Sequence, residues 1–423
     1  MRDSNLARTE QTSAPQRKLA DNRRMQRAGN QRAQQNAASK GAANAPLPKT
    51  KPRYYYDYSL VFIVMAISVF GLVMIYSSSQ YMAFISNRGA TFYFQRQAAI
   101  GGVGFVLALG VSLFSYRLLR QFAALGMAVS VILLGAVMVV GIAAKGAQRW
   151  LGVGSFSFQP TEIAKIAVIV YLAARIAQYG TAIGRWKNLK RVLLPVVLVT
   201  ALIAKENLSS GIIVAGIAFV MLFVACRQWK AFVLLAAAGF SAILAAKPFA
   251  AWAITHFNLG RPESYHLRRI FGWALPDRFP DDAYQTLQGL YAIGSGGLTG
   301  QGLGESIQKF GKLPEAQNDM IFSIICEELG FIGAAAVIIL FICLIVRLMW
   351  IARTAEDLFG SMLCIGIMAH LSIQVILNIS VVTGVIPNTG VTLPFISYGG
   401  TAVFFTMMEI GIALSVAHRI RLA

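Results

Sequence analysis

The stretch Lys312-Leu-Pro-Glu-Ala-Gln-Asn-Asp-Met-Ile-Phe-Ser-Ile-Ile-Cys-Glu-Glu-Leu-Gly330 leads into an apolar run that continues to Trp350. Four carboxylates, Glu315, Asp319, Glu327 and Glu328, stand at the threshold of that run. Charge at the edge of a bilayer is costly to desolvate and usually has a task. The rest of the chain has the composition that goes with such a run: 423 residues, 56% hydrophobic and only 13% charged. That is the profile of an all-α polytopic membrane protein. A hydrocarbon core of about 30 Å needs roughly 20 apolar residues per helix. Candidate spans centre on 59–78, 95–115, 118–141, 161–178, 192–204, 208–226, 231–254, 320–350, 359–382 and 401–418, ten in all. The pair 192–204 and 208–226 is the weakest. Lys205-Glu206-Asn207 between them reads as a tight hairpin outside the membrane, with one broken helix as the alternative.

Lys and Arg favour the cytoplasmic side of short loops, so the basic residues orient the spans. Residues 1–53 carry twelve basic and three acidic residues. Arg117 and Arg120, then Arg175 to Arg191, Arg227 and Lys230, Arg347 and Arg353, and Arg419 and Arg421 follow in every second connection. Ten spans with both termini cytoplasmic account for this pattern. The chain then divides into a basic tail, 1–53, and a membrane domain, 54–423. A large extracellular loop, 256–319, joins the seventh and eighth spans. The tail has no apolar segment of signal-peptide type. Its Arg, Gln, Asn and Ala content predicts disorder. It reads as a topology determinant attracted to anionic lipid rather than as a nucleic-acid arm, so no nucleic acid is expected as a partner.

Several chemistries are excluded by spacing. The four cysteines, Cys226, Cys326, Cys343 and Cys364, fall in apolar segments with neither a CxxC nor a Cys/His pattern, so neither a disulfide framework nor a zinc site is indicated. There is no P-loop, GxSxG or HExxH. The Gly-rich patches 294–304 and 397–400 do not follow a strand, which makes a dinucleotide fold a poor reading.

After residue 57 the chain has fourteen acidic residues, and seven of them lie between His256 and Asp319. Glu356 and Asp357 are the clear cytoplasmic pair. Three outer segments follow from the topology: 143–160, 256–318 and 383–400. They also hold basic residues against the usual bias: Lys145, Arg149, Arg261, Arg268, Arg269, Lys309 and Lys312. An anionic ligand at the outer leaflet would explain them, since guanidinium groups fit phosphate; structural pairing with the loop acids is the plainer explanation. Gln159-Pro-Thr-Glu162-Ile-Ala-Lys165 reads as a helix start, and Glu162 and Lys165, three apart, share a face. They form an internal ion pair, or Lys165 holds a phosphate. Glu409 and Gln374 lie within spans and are expected to bond other helices, with His370 a packing residue.

Asp319 and Glu327, eight residues apart, would lie about 12 Å apart on one helical face. Glycosidase-type chemistry asks for two carboxylates about 5–10 Å apart. Transfer of a sugar from a diphosphate asks for less. The pyrophosphate leaves without a general acid, so one base for the acceptor hydroxyl and cations for the leaving group suffice. Asp319 among Arg and Lys residues meets that demand. It could equally be a helix N-cap, or the Asp319, Glu327 and Glu328 group could be an ion relay.

The motifs Lys145-Gly-Ala-Gln-Arg-Trp150, Phe158-Gln-Pro-Thr-Glu-Ile-Ala-Lys165, Tyr284-Gln285 with Gln288, Gly296-Gly-Leu-Thr-Gly-Gln-Gly-Leu-Gly304, Leu313-Pro-Glu-Ala-Gln-Asn-Asp319, Glu327-Glu-Leu-Gly-Phe-Ile-Gly333 and Leu393-Pro-Phe-Ile-Ser-Tyr-Gly-Gly400 occur in this order. The chain thereby resembles the SEDS family of peptidoglycan glycosyltransferases, the FtsW/RodA/SpoVE group, over residues 55–421, and its division-type members most. The resemblance implies ten helices, an outward-facing groove and polymerisation of lipid II, with Asp319 as the catalytic base. It implies substrate binding by Lys145, Arg149, Trp150, Lys165, Arg268, Arg269, Gln285, Gln288, Glu315, Ser397 and Tyr398, supported by Glu162 and Glu327. It further implies a divalent cation (Mg2+ or Mn2+) as a possible aid, and as partners a class B penicillin-binding transpeptidase and other divisome membrane proteins. The implied location is the bacterial cytoplasmic membrane at the division septum.

The chain departs from the family's pattern at Asn207, where an Asp is usual, at Gln317-Asn318 in place of His-Thr, at Met320 for Phe and at Thr389 for a Lys. None of these removes Asp319. Two rivals are a lipid II flippase, which would need a polar path through the bundle, and a non-enzymatic division scaffold.

Overall fold

A computed structural model describes residues 56–144, 147–153, 156–226 and 229–420. The basic tail, 1–53, lies outside the described residues. Twelve α-helices account for most of the rest: α1 Tyr58–Ile85, α2 Phe92–Leu113, α3 Leu119–Val140, α4 Pro160–Tyr179, α5 Trp186–Glu206, α6 Leu208–Ala225, α7 Trp229–His256, α8 Tyr265–Ala274, α9 Pro280–Gly296, α10 Ile321–Thr354, α11 Leu358–Val382 and α12 Thr401–Ala417. All ten expected spans fall on helices. Eight stretches among the described residues are long and apolar enough to cross a membrane. The other two expected spans are α5, which opens on Lys187, Lys190 and Arg191, and the shorter apolar α12. The chain is thus a multi-pass helical membrane protein.

The outer segment 143–160 is not a plain loop. It forms a three-stranded antiparallel meander, β1 Ile142–Ala144, β2 Ala147–Val153 and β3 Phe156–Phe158, with Ile142 opposite Trp150 and Leu151 opposite Phe158. The weak pair of spans is a hairpin. Asn207 alone joins α5 to α6, and its side-chain oxygen accepts a hydrogen bond from the Ser210 amide at 3.2 Å. Helix α4 opens on Pro160 at its first position, as its sequence implies.

The centre of the bundle is α4, α11 and α12, whose apolar residues are buried over most of their length. Polar residues inside tie the helices together. His370 of α11 meets Glu409 of α12 at 2.8 Å. At the end where α1 begins, Asp57 accepts from the Leu60 amide and from Arg347 Nε, both at 2.9 Å. At the connection between α10 and α11, Arg117 pairs with Glu356 at 2.7 Å and Asp357 at 3.0 Å. Arg347 and the start of α1 therefore sit at one end of α10, and Asp319 at the other.

Helix α10 is broken near that second end. Gly330 has φ +64° and ψ −165° inside the helix. Such a break frees backbone groups that a bilayer cannot satisfy. The Gly-rich segment after α9 replaces the missing bonds one for one. Gln301 N donates to Glu327 O at 2.9 Å and Gly302 N to Glu328 O at 3.0 Å; Phe331 N and Ile332 N donate to Gly297 O and Leu298 O at 2.9 and 3.1 Å. This fit needs glycine. A Cβ on Gly300, where φ is +84°, would lie 2.2 Å from Glu328 O. Replacing Gly300 by Ala is expected to cost about 2 kcal/mol or more. Thermal unfolding in detergent checks this, and an unchanged midpoint would contradict the one-for-one replacement.

Candidate active site

Asp319 is buried, 6% exposed, at the close of the segment 256–319. It is not on the helix. The helix starts at Ile321, and its cap position is Met320, which makes no side-chain cap bond. The expected spacing of Asp319 and Glu327 along one helical face therefore does not hold, and Asp319 is not the cap either. The turn before it is shaped by Glu315, which adopts φ +58°. The Glu315 carbonyl accepts from Asn318 N at 2.9 Å, and its carboxylate accepts from the Asn318 side-chain amide.

Three segments converge on this turn. From α8, Arg269 donates to the Asn388 carbonyl at 3.1 Å. From α9, Gln285 accepts from Asn388 Nδ2 at 2.7 Å and donates to Pro314 O at 3.3 Å. From the loop 383–400, Asn388 Oδ1 accepts from Gly390 N at 3.0 Å, which folds the chain tightly around Gly390. The point where a Cβ on Gly390 would stand lies 3.8 Å from both Arg269 Nη1 and Asp319 Oδ2. The absence of a side chain there leaves a cation and a carboxylate flanking the same small space.

The other side of the turn rests on the Ser397 loop. Tyr398 N donates to Gln317 O at 2.9 Å. Ser397 Oγ accepts from Leu393 N at 2.8 Å, and the Ser397 carbonyl accepts from Gln97 of α2 at 3.1 Å. Tyr398 packs edge-on against Tyr93, with centroids 5.1 Å apart. Burial raises its phenol above the usual range while Arg96 nearby opposes the rise.

The remaining expected residues separate by what holds them. Lys165 forms a buried pair with Glu162 at 2.9 Å, so the ion-pair reading of that motif is the observed one. Arg268 pairs with Asp282 at 3.2 Å, and Arg261 grips the same carboxylate with two bonds. Arg261 holds the Asp282 carboxyl below the usual carboxylate range. Of the adjacent arginines, Arg269 rather than Arg268 reaches the Asp319 turn. Trp150 is half-buried in β2, and Gln288 lies on α9 three residues beyond Gln285. Arg149 is in β2, and Lys145 lies outside the described residues.

Glu327 and Glu328 hold backbone and cation. Glu327 accepts from Ser306 Oγ, from Ile307 N at 3.0 Å and from Gln308 N at 3.3 Å. Glu328 accepts from Ser77 of α1 at 2.6 Å and pairs with Lys309 at 2.8 Å, with both side chains fully enclosed. Glu327 is thus a clamp on the 306–308 turn, away from the Gly390 space. No group of three or more His, Cys, Asp or Glu side chains among the described residues could hold a metal ion.

Sequence reasoning missed Asn378, Asn388 and Gln317, which bind through amides or backbone. Asn378 of α11 donates to Asp319 O at 2.8 Å and to Val391 O at 2.7 Å. An Asn within an apolar span was the available signal.

The family profile described as cell cycle protein, FtsW/RodA/SpoVE, matches residues 58–422. The stage V sporulation protein E of Bacillus subtilis is 37% identical over 375 residues, covering 88% of this chain and 98% of its own. A probable peptidoglycan glycosyltransferase FtsW of Trichlorobacter lovleyi is 36% identical, covering 87% and 94%. Among solved structures, a chain from a peptidoglycan synthase complex that coordinates polymerization and crosslinking superposes with a TM-score of 0.67 at 28% identity, covering 86% and 98%. The rod shape determining protein RodA of Thermus thermophilus gives 0.62 at 27%, covering 88% and 99%.

Removing one partner of the enclosed Lys309–Glu328 pair leaves an uncompensated charge. Lys309→Met is expected to destabilise the protein by about 3–5 kcal/mol, and Lys309→Met with Glu328→Leu to recover most of that loss. Thermal unfolding of the three proteins decides; a double variant as unstable as the single would refute the pairing.

Proposed function

The chain belongs to the FtsW/RodA/SpoVE family, and on that premise we propose that it polymerises peptidoglycan glycan strands with Asp319 as the base. It is a peptidoglycan glycosyltransferase, as its FtsW relatives are named. The observation that carries the assignment of the base is the space at Gly390, flanked by Asp319 and Arg269.

In the reaction proposed, the Asp319 carboxylate takes the proton of the 4-hydroxyl on an acceptor N-acetylglucosamine. That oxygen attacks C1 of N-acetylmuramic acid on the donor lipid II with inversion, and the bond from C1 to the diphosphate oxygen breaks. Undecaprenyl diphosphate leaves with the bonding pair. General-base assistance of this kind contributes about 10²–10⁴-fold. Arg269 Nη1 lies as near to that space as the carboxylate does and supplies positive charge where the diphosphate develops its own. Its guanidinium fork suits phosphate oxygens. Arg149 of β2, and Lys145, which lies outside the described residues, are the further cations proposed for the diphosphate.

We count α5 and α12 as spans, giving ten with both termini cytoplasmic and the Asp319 turn at the outer face of the bacterial cytoplasmic membrane. A class B penicillin-binding transpeptidase is the partner proposed to cross-link the strands. Likeness to a synthase complex that couples polymerization to crosslinking supports it. The FtsW relatives support a septal role in cell division.

Purified protein with its transpeptidase partner, given lipid II, is expected to make glycan strands. Asp319→Asn is expected to lower the rate at least about a hundredfold. Arg269→Ala should slow polymerisation more than Arg268→Ala does, because Arg268 is held by Asp282. Gel analysis of the glycan product reads these outcomes. Unchanged polymer from Asp319→Asn would sink the assignment, and lipid flipping without polymer would favour a transporter.

A further inference from the structure

We propose that Asn378 is the positioning residue for Asp319. This rests on the reading of Asp319 as the base. Asn378 is fully buried near the outer end of α11. Its single amide nitrogen donates to two carbonyls on two separate loops, Asp319 O at 2.8 Å and Val391 O at 2.7 Å. Its Oδ1 is buried with no hydrogen-bond partner. Both protons of the Nδ2 group are thus spent on bringing the two loops together.

The two loops define the reacting space. Val391 follows Gly390, beside which the Asp319 carboxylate and the Arg269 guanidinium stand. Holding the backbone of Asp319 to the backbone after Gly390 sets how far the carboxylate is from the empty Cβ position. It does so from a rigid helix rather than from a loop. Catalytic groups misplaced by about 1 Å can lose on the order of a hundredfold in rate. Asn378 does not touch substrate; its effect is transmitted through the Asp319 backbone.

The helix supplies its own control. Gln374, one turn earlier on the same face, donates to the Thr392 carbonyl of the same loop at 2.9 Å. It ties α11 to that loop as Asn378 does, yet has no bond to the Asp319 turn among the hydrogen bonds described. Removing Gln374 therefore costs an amide–carbonyl bond to the loop without loosening the base.

The test compares wild type, Asn378→Ala, Asn378→Asp, Gln374→Ala and Asp319→Asn as full-length proteins with the transpeptidase partner. Lipid II polymerisation gives kcat and KM, and thermal unfolding in detergent is measured alongside. Asn378→Asp keeps the shape and offers at most one proton to the two carbonyls. Both Asn378 variants are expected to lose about tenfold or more in kcat, with KM within about twofold of wild type. Gln374→Ala is expected to keep kcat within about threefold at a similar unfolding midpoint. Asn378 variants that match Gln374→Ala in kcat, while Asp319→Asn is inactive, overturn the proposal and leave the base assignment standing. An active Asp319→Asn overturns both. Failure of both Asn378 variants to fold, or a rise in KM alone, also overturns it, because the residue then holds the fold or the substrate rather than the base.

Discussion

The break in α10 at Gly330 is the constraint on which the Asp319 end of the bundle depends. A helix in a bilayer must satisfy its own backbone, and a break is tolerated only where protein replaces the lost bonds. Here Phe331 and Ile332 give up the carbonyls of Glu327 and Glu328 that a continuous helix would use. They take Gly297 and Leu298 instead, while Gln301 and Gly302 take the vacated carbonyls. The segment after α9 is thus built into the helix as if it were part of it. This fixes the height of everything between residues 297 and 320, including the turn that carries Asp319.

The carboxylates beside the break follow from the same constraint. Glu327 and Glu328 are carried inward by the helix and would be costly as bare charges. Each is surrounded by donors. The turn at 306–308 closes over Glu327, and Ser77 and Lys309 close over Glu328. Both closures pull the loop 303–309 down onto α1 and α10. The loop then returns through Leu313, which is buried against the bundle core, to present Asp319 at its end.

Much of this was legible in the sequence, and the failures have physical causes. Apolar run length located the eight stretches long and apolar enough to cross a bilayer, because a crossing demands about 20 residues. The acids of the large loop and the family motifs together selected Asp319. The eight-residue spacing of Asp319 and Glu327 misled because it assumed one regular helix, whereas the helix starts after Asp319 and is broken at Gly330. The β meander at 142–158 escaped notice because three short strands carry little periodicity. Arg268 and Arg269 are adjacent and chemically identical in the sequence. Only the position of Asp282, which holds Arg268, separates them. Contacts made by backbone carbonyls, such as Asn378 to Asp319, leave no signature beyond a polar residue in an apolar run.

Three of the four carboxylates at the boundary are tied into structure by donors around them. Glu327 has three donors in the 306–308 turn, and Glu328 has a serine and an ammonium group, so both are suited to holding structure. Glu315 spends its carboxylate on Asn318 within its own turn. Asp319 is fixed through its backbone carbonyl, by Asn378, while its Oδ2 faces the space at Gly390. The hold of α11 on Asp319 thus goes through the main chain of the residue. Gly390 itself has φ +70°, a left-handed conformation that glycine adopts without strain, and it leaves open the space that Asp319 Oδ2 faces.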